Sequence, residues 1–587
     1  MVLNWFNRSA FKLIALAATL LLCANFAEGQ KRAARAAEVH YNQAVALLEH
    51  QQLDRAIAEI QTAIKLHPKY ADAHNVLGLA LARKGDLIHA IESFRKAIEL
   101  DSSLYKAHRN LGLALGQSGD LAGAIESLKK SVALKSDDAE TRLMLGLAYE
   151  NRGDVAPAIA ELREAARLDP KLGDAHFHLG FLLGTKGQFQ EAIPEFEAAT
   201  KINPDNGQAH YYLGTARWFA GDTDGAIAAL KTATRLRPDH ADSFYYLAQA
   251  LKKSSDLETM GGPASTRIDP AMAEPRQTMG FAVTDNEELN QAIEAFRTVV
   301  KLKPDFIQAY NDLGLALVQK RDPDGAIAAF NAALKIDPNY LIAHHNLGMA
   351  FIQKSDYAAA IAEYRKLIEL APASAEAHYN LGLALKSKDL FDEAIVELKK
   401  AIALEPSLQE AHYTLGVILL QQSKLDDAAS EFRAAIKTKP DYAEAHYALG
   451  TVLQQQSNID GAITAFREAL KYSPNAPEIH NSLGTTLRQK GDIEAARAEF
   501  QEAARLNKRK SDLQAAMFAF NTGMARLREG NLDAAIERFE TAAKLAPDSS
   551  EAHYYLAKAL ARKGQREAAQ AAYQKAKQLN PRLKPIE

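Results

Sequence analysis

Twelve of the 20 prolines keep a 34-residue spacing, and nothing else in the chain restricts its fold as strongly. Pro68, Pro170, Pro204 and Pro238 share one phase, Pro304, Pro338, Pro372, Pro406, Pro440 and Pro474 a second, and Pro547 and Pro581 a third. A fixed period of this size means an array of one supersecondary unit that buries its apolar face only against its neighbours. With two residues between each proline and the next start, units begin at 37, 71, 105, 139, 173, 207, 241, 273, 307, 341, 375, 409, 443, 477, 516 and 550. These sixteen units span 37 to 583, with two residues missing from the seventh and five extra residues before the unit at 516. A length of 587 residues would otherwise mean about four ordinary domains.

Each unit reads as two helices. Between 71 and 102, Ala73, Leu77, Ala80 and Leu81 recur at helical spacing, Lys84-Gly85-Asp86 interrupts, and Ala90, Ile91, Phe94, Ala97 and Ile98 resume it. Gly85 is placed to end the first helix and Asp86 to cap the second. Unit position 8 is glycine in thirteen units and alanine in the other three. Glycine inside a helix costs about 1 kcal/mol relative to alanine, so its persistence at one phase predicts close approach of the two helices. Position 20 is alanine in fifteen units, where a bulky residue would wedge the hairpin open.

The pattern resembles the tetratricopeptide repeat family: small at position 8, Ala at 20, an aromatic at 24 (Phe94, Phe196, Phe330, Tyr364, Phe432, Phe466, Phe539) and proline at 32. The resemblance covers almost all of 37–583. It implies an all-α solenoid, antiparallel helix pairs stacked into a right-handed superhelix whose first helices line a concave groove. The stretches AHHNLGMAF and AHYNLGLAL are also similar to the substrate-recruiting arm of O-linked N-acetylglucosamine transferases. No residues are left over for a catalytic domain, so that activity is not carried across.

The grid is broken in three places. Ser102, Ser136 and Lys508 stand where proline is expected, which predicts slightly loosened turns. Gly261-Gly262-Pro263 falls in the middle of the expected second helix of unit 7, and Pro275 disturbs unit 8. Gly-Gly-Pro breaks helices, so 255–286 reads as a degenerate pair, a loop or a hinge between repeat blocks 37–254 and 287–583. Finally, Lys508-Arg509-Lys510 reads as a short basic turn, best explained as a solvated helix end favoured by the carboxyl-end dipole.

The first 29 residues read as an address. Arg8 and Lys12 precede the apolar run Leu13 to Leu22, and Ala27-Glu28-Gly29 supplies small residues for cleavage. Leu13 to Ala27 is shorter than the ~20 residues that cross a bilayer. Export to the periplasm or outside is therefore expected, with a membrane anchor, either the uncleaved segment or a lipid at Cys23, as the alternative. Cys23 is the sole cysteine, which excludes a disulfide framework and any multi-thiolate metal site. Lys plus Arg number 70 and Asp plus Glu 73, so the net charge of -3 gives no field for nucleic acid.

Candidate chemistry dissolves on the grid. Eleven of the 17 histidines, including His40, His176, His344 and His480, occupy unit position 4. Neighbouring units put them roughly 10 Å apart, given helix packing distances, whereas metal ligands converge at ~2 Å; a structural role is expected and no metal. Asp222-Thr223-Asp224-Gly225 and Asp322-Pro323-Asp324-Gly325 echo a calcium loop but lack the downstream glutamate, and read as helix caps. No Walker loop, HExxH or GxSxG is present. Neither catalysis nor a cofactor is expected.

What remains is the groove. Position 6 carries Asn42, Asn110, Asn346, Asn380 and Asn521, an incomplete amide ladder suited to an extended peptide backbone. Position 2 is mostly acidic, as in Glu38, Asp72, Glu140, Asp242, Glu376 and Glu410, which compensates the helix dipole and disfavours acidic peptides. Only Lys106 with Asn110 fits the carboxylate clamp of chaperone-tail receptors, so that function is not expected. Units 6 and 7 concentrate aromatics: Tyr211, Tyr212, Trp218, Phe219, Phe244, Tyr245 and Tyr246. Tyr212, Trp218 and Tyr246 are the candidate hot spot. These features point to a non-catalytic scaffold in the cell envelope that binds protein or peptide segments. The alternative is a recruiting arm of a separate glycosyltransferase or secretion system. A third class is self-assembly through array ends, because the last unit runs out at Pro585-Ile586-Glu587.

Overall fold

The computed structural model describes residues 28–258, 287–581, 583, 585 and 586. The expected address up to residue 27, Cys23 included, and residues 259–286 of the expected interruption lie outside the described residues. Contacts divide the chain into two bodies, Met1–Ala250 and Leu251–Glu587. Among the described residues every regular element is helical. In the first body, helix 28–49 pairs with Leu53–Leu66, and the pairs continue to Gly207–Phe219 with Thr223–Leu236. In the second, Glu287–Leu302 is followed by pairs from Ile307–Gln319 and Pro323–Ile336 to Ser550–Arg562 and Arg566–Leu579. The repeated helix pair expected from the period is thus the architecture of both bodies.

Two local devices set each hairpin. The first helix ends on a left-handed residue at position 15, as Gly85 does at φ 89°. The second helix is capped by the next residue: Asp86 accepts from the His89 N–H, Asp222 from Gly225 and Asp322 from Gly325. Asp222 and Asp322 are therefore caps, as their register implied. Where position 15 is not glycine, the chain still adopts the left-handed state, at Ser355, Ser423 and Ser457 for example (φ 60–63°).

Inside a unit, position 8 faces position 24. A Cβ added at Gly78 would sit 2.6 Å from the Phe94 ring, and one at Gly450 2.6 Å from Phe466. The glycine is what lets the aromatic lie flat between the helices. Between units, positions 21, 24, 27 and 28 of one second helix meet positions 3, 7 and 10 of the next first helix. Ile125 and Leu128 share a core cluster with Leu145 and Ala148. Ala165 and Ala166 share one with Ala175, and Ala435 with Ala445.

The position-4 histidines staple this stack. His344 bonds the Glu363 carboxylate through Nδ1 (2.9 Å) and the Pro338 carbonyl through Nε2 (2.9 Å). His378 does so with Glu397 and Pro372, His412 with Glu431 and Pro406, and His480 with Glu499 and Pro474. Each ring thereby ties the inter-unit turn to the second helix of its own unit. Both partners only accept, so a ring donates to both at once only in its doubly protonated form. The Ser102 turn keeps the same bond without proline, from His108 at 3.2 Å.

Lys508-Arg509-Lys510 is not a turn. It lies inside a single 36-residue helix, Ile493–Arg528, which joins the second helix of unit 14 to the first helix of unit 15 without a break. The physical reason is local: proline is absent, Asn507 to Ser511 are exposed all round, and Lys and Arg are good helix formers with no packing to oppose them. At the far end, the outward side of Arg566–Leu579 carries Arg566, Gln570, Gln574 and Lys577, all exposed. Ile586 packs back onto the last core cluster.

Candidate partner-binding site

The expected site residues fall into two groups. The amide ladder is largely drawn into the stack. Asn110 donates to the Asn75 side chain at 3.0 Å and Asn346 to Asn311 at 2.8 Å, each bridging position 6 of one unit to position 5 of the unit before. Asn380, at the same phase, is 0% exposed. Asn42 and Asn521 are exposed. The acidic residues at position 2 sit in the first helical turn, Asp72, Glu140, Asp174, Asp242, Glu376 and Glu410 among them, where they meet unpaired backbone N–H groups. Glu140 is also bonded across the unit boundary by Arg109 at 3.0 Å.

The aromatic group behaves differently. Tyr212 and Tyr246 occupy position 6, replacing the amides with rings. Tyr212 lies 5.2 Å from Phe181, 5.8 Å from Phe196 and 5.0 Å from Tyr211, centroid to centroid. Tyr211 reaches Tyr246 at 6.2 Å, Tyr246 reaches Phe219 at 5.9 Å, and Phe219 stacks on Phe189 at 5.1 Å. The result is one continuous path of ring contacts across units 5, 6 and 7, all within the first body. Phe219, next to the Phe189 end of that path, is 54% exposed; Trp218, beside it on the same helix, is half-buried. Aromatic pairs at these distances stabilise one another by about 0.5–1.5 kcal/mol beyond their area burial.

The phenols of the patch are part-buried and lie beside negative charge. Burial pushes the Tyr211 phenol up, and the neighbouring Tyr246, Asp242 and Tyr212 add to it. Burial raises Tyr246 as well, followed by Asp242. Both hydroxyls are therefore neutral hydrogen-bonding groups at physiological pH, set in an apolar rim. The contribution of unit 5, through Phe177, Phe181 and Phe189, was not anticipated. Its signal lay in the register, since Phe177, Tyr211 and Tyr245 all stand at position 5. Among the described residues no three His, Cys, Asp or Glu side chains gather as metal ligands, and no helix is long and apolar enough to cross a membrane.

Stacked helix pairs carrying a preformed surface patch define a helical-repeat binding protein. The tetratricopeptide repeat description matches residues 41–104, 109–173, 284–340, 447–511 and 520–583, more than half of the chain, and related repeat descriptions match 185–251, 348–389, 375–408 and 418–457. The chain belongs to the tetratricopeptide repeat family. No curated protein matches it. Among solved structures, it is similar to MamA (28% identity over 28% of this chain and 96% of that one, TM-score 0.27). It is similar also to YrrB, described as a TPR protein with an unusual peptide-binding site (24% identity, 31% and 95%, TM-score 0.30). Yeast Tom70 is similar over more of the chain (18% identity, 80% and 96%, TM-score 0.30).

Proposed function

We propose that this protein is a non-catalytic interaction scaffold that captures an extended peptide segment of a protein partner, and that the aromatic path from Phe189 to Tyr212 is where capture occurs. The observation that carries this is the exposed Phe219 ring, held between Phe189 and Tyr246 near the end of that path. Interface energy concentrates in such aromatic anchors. Neutral phenols beside Asp242 favour an apolar or basic segment over an acidic one, and a near-neutral chain has no field for nucleic acid. The amide pairs at Asn110 and Asn346 give the stack its register in this scheme, while Tyr212, Trp218 and Tyr246 contact the ligand.

The residue 1–29 segment supports an exported protein that works in the cell envelope, either released after cleavage near Gly29 or held by that segment or by a lipid on Cys23. Intact mass of the protein purified from its host, together with fractionation, distinguishes these states. For the site, Trp218→Ala, Phe219→Ala and Tyr246→Ala are expected to strip partners from pull-downs while far-UV circular dichroism stays unchanged. Retention of the same partners by all three variants would refute the site.

A further inference from the structure

The long helix Ile493–Arg528 leaves two surfaces uncovered that every other described junction covers. Position 3 is buried wherever a preceding unit packs on it, from Ala73, Ala107 and Ala175 at 0% to Ile479 at 4%. Among the described residues it is exposed twice: at Val39 (56%), in the first unit, and at Phe518 (74%), in unit 15. Position 10 follows the same rule, buried at Ala80, Ala316, Val452 and Ala559 but exposed at Ala46 and Ala525. Unit 15 therefore presents the open face of a first unit, although fourteen units precede it in sequence. On the other side of the junction, Ile493 at position 17 is 55% exposed, while Leu87, Leu121, Ile459 and Leu532 at that phase are half-buried.

The residues on these two faces remain compatible with each other. Position 28 meets position 3 of the next unit. Ile436 there meets Ala445 and the smaller Ala166 meets Ala175; here Ala504, as small as Ala166, leaves room for the exposed Phe518 ring. Position 21 meets position 7. Elsewhere isoleucine faces leucine, as Ile125 faces Leu145; here Arg497 faces Thr522, polar to polar. Ala504 and Phe518 are fourteen residues apart on one unbroken helix, about 21 Å at 1.5 Å per residue, so they do not meet within one chain.

We propose that a second copy of this chain completes the junction. Unit 15 of one copy stacks on unit 14 of the other, and the reciprocal contact closes a two-fold dimer by exchange of units 15 and 16. The interface is the one already repeated between neighbouring units along the array, re-formed between chains. Replacement of a hairpin turn by a continuous helix is what such an exchange requires.

Sedimentation equilibrium on the full chain tests this, with a dimer expected at micromolar concentration. Phe518→Arg, at an exposed position, is expected to weaken dimerisation roughly tenfold or more with circular dichroism and melting unchanged. In a Cys23→Ser background, mixing an Ala504→Cys chain with a Phe518→Cys chain is expected to give a disulfide-linked heterodimer. A monomeric native chain, a Phe518→Arg dimer as tight as the native one, or a double-cysteine chain that cross-links within a single copy each overturns the proposal. The last result means that the helix bends back into an ordinary turn.

Discussion

At the scale of single residues, small periodic choices decide the energetics. His412 has its pKa raised, first by the bond to Glu431 and further by the Pro406 carbonyl, against the desolvation that lowers it. A raised folded-state value contributes stability that is fully present below the unfolded value of about 6.5 and is lost as pH rises through the folded value. His412→Gln is thus expected to lower the protection of local amides at pH 6 and to do so less at pH 8.5, measured by hydrogen exchange. An equal loss at both pH values contradicts the protonated staple. Ser457 makes the complementary case. Its φ of 60° is a state that glycine occupies without strain, so Ser457→Gly is expected to stabilise its hairpin by about 0.5–1 kcal/mol, read from the local exchange free energy. The period placed these histidines correctly as structural groups. The glutamate nineteen residues on that His344, His378, His412 and His480 use was not legible, because that partner is set by how two helices face each other.

At the scale of the element, the helix pair is a unit whose interior tolerates little. Gly450→Val brings a branched side chain against the Phe466 ring, where even a Cβ comes within 2.6 Å. Overpacking of this kind costs about 1–3 kcal/mol. Because a solenoid's stability is a sum of local terms, the loss is expected in the exchange of residues 443–472 and their immediate neighbours, with 516–579 unaffected. A uniform loss along the chain contradicts nearest-neighbour stacking. Caps, breaks and the close approach at position 8 were legible because each is written in residues that touch within one hairpin. The fate of Lys508-Arg509-Lys510 was not. A missing proline and five extra residues read equally well as a turn, and what distinguishes the long helix is a set of changes at positions 3, 7 and 21, which have meaning only across a junction.

At the scale of the whole molecule, repetition and its exceptions divide the labour. The repeat supplies the frame, and the departures from it carry specificity: rings in place of amides at Tyr212 and Tyr246, an open unit face at Phe518. The cluster in units 6 and 7 was visible in sequence as composition. Its extension through Phe177, Phe181 and Phe189 emerged only when the first helices lay side by side. The most direct test replaces Phe219 with a photo-crosslinking phenylalanine analogue in the native host. Val396 on the second helix of unit 11, which is 52% exposed, serves as the control position. Capture by aromatic anchors predicts that irradiation at Phe219 gives a discrete adduct, mapped by mass spectrometry to one short apolar or basic segment of another protein, and that Val396 gives none. Adducts of equal yield and diversity at both positions would contradict it.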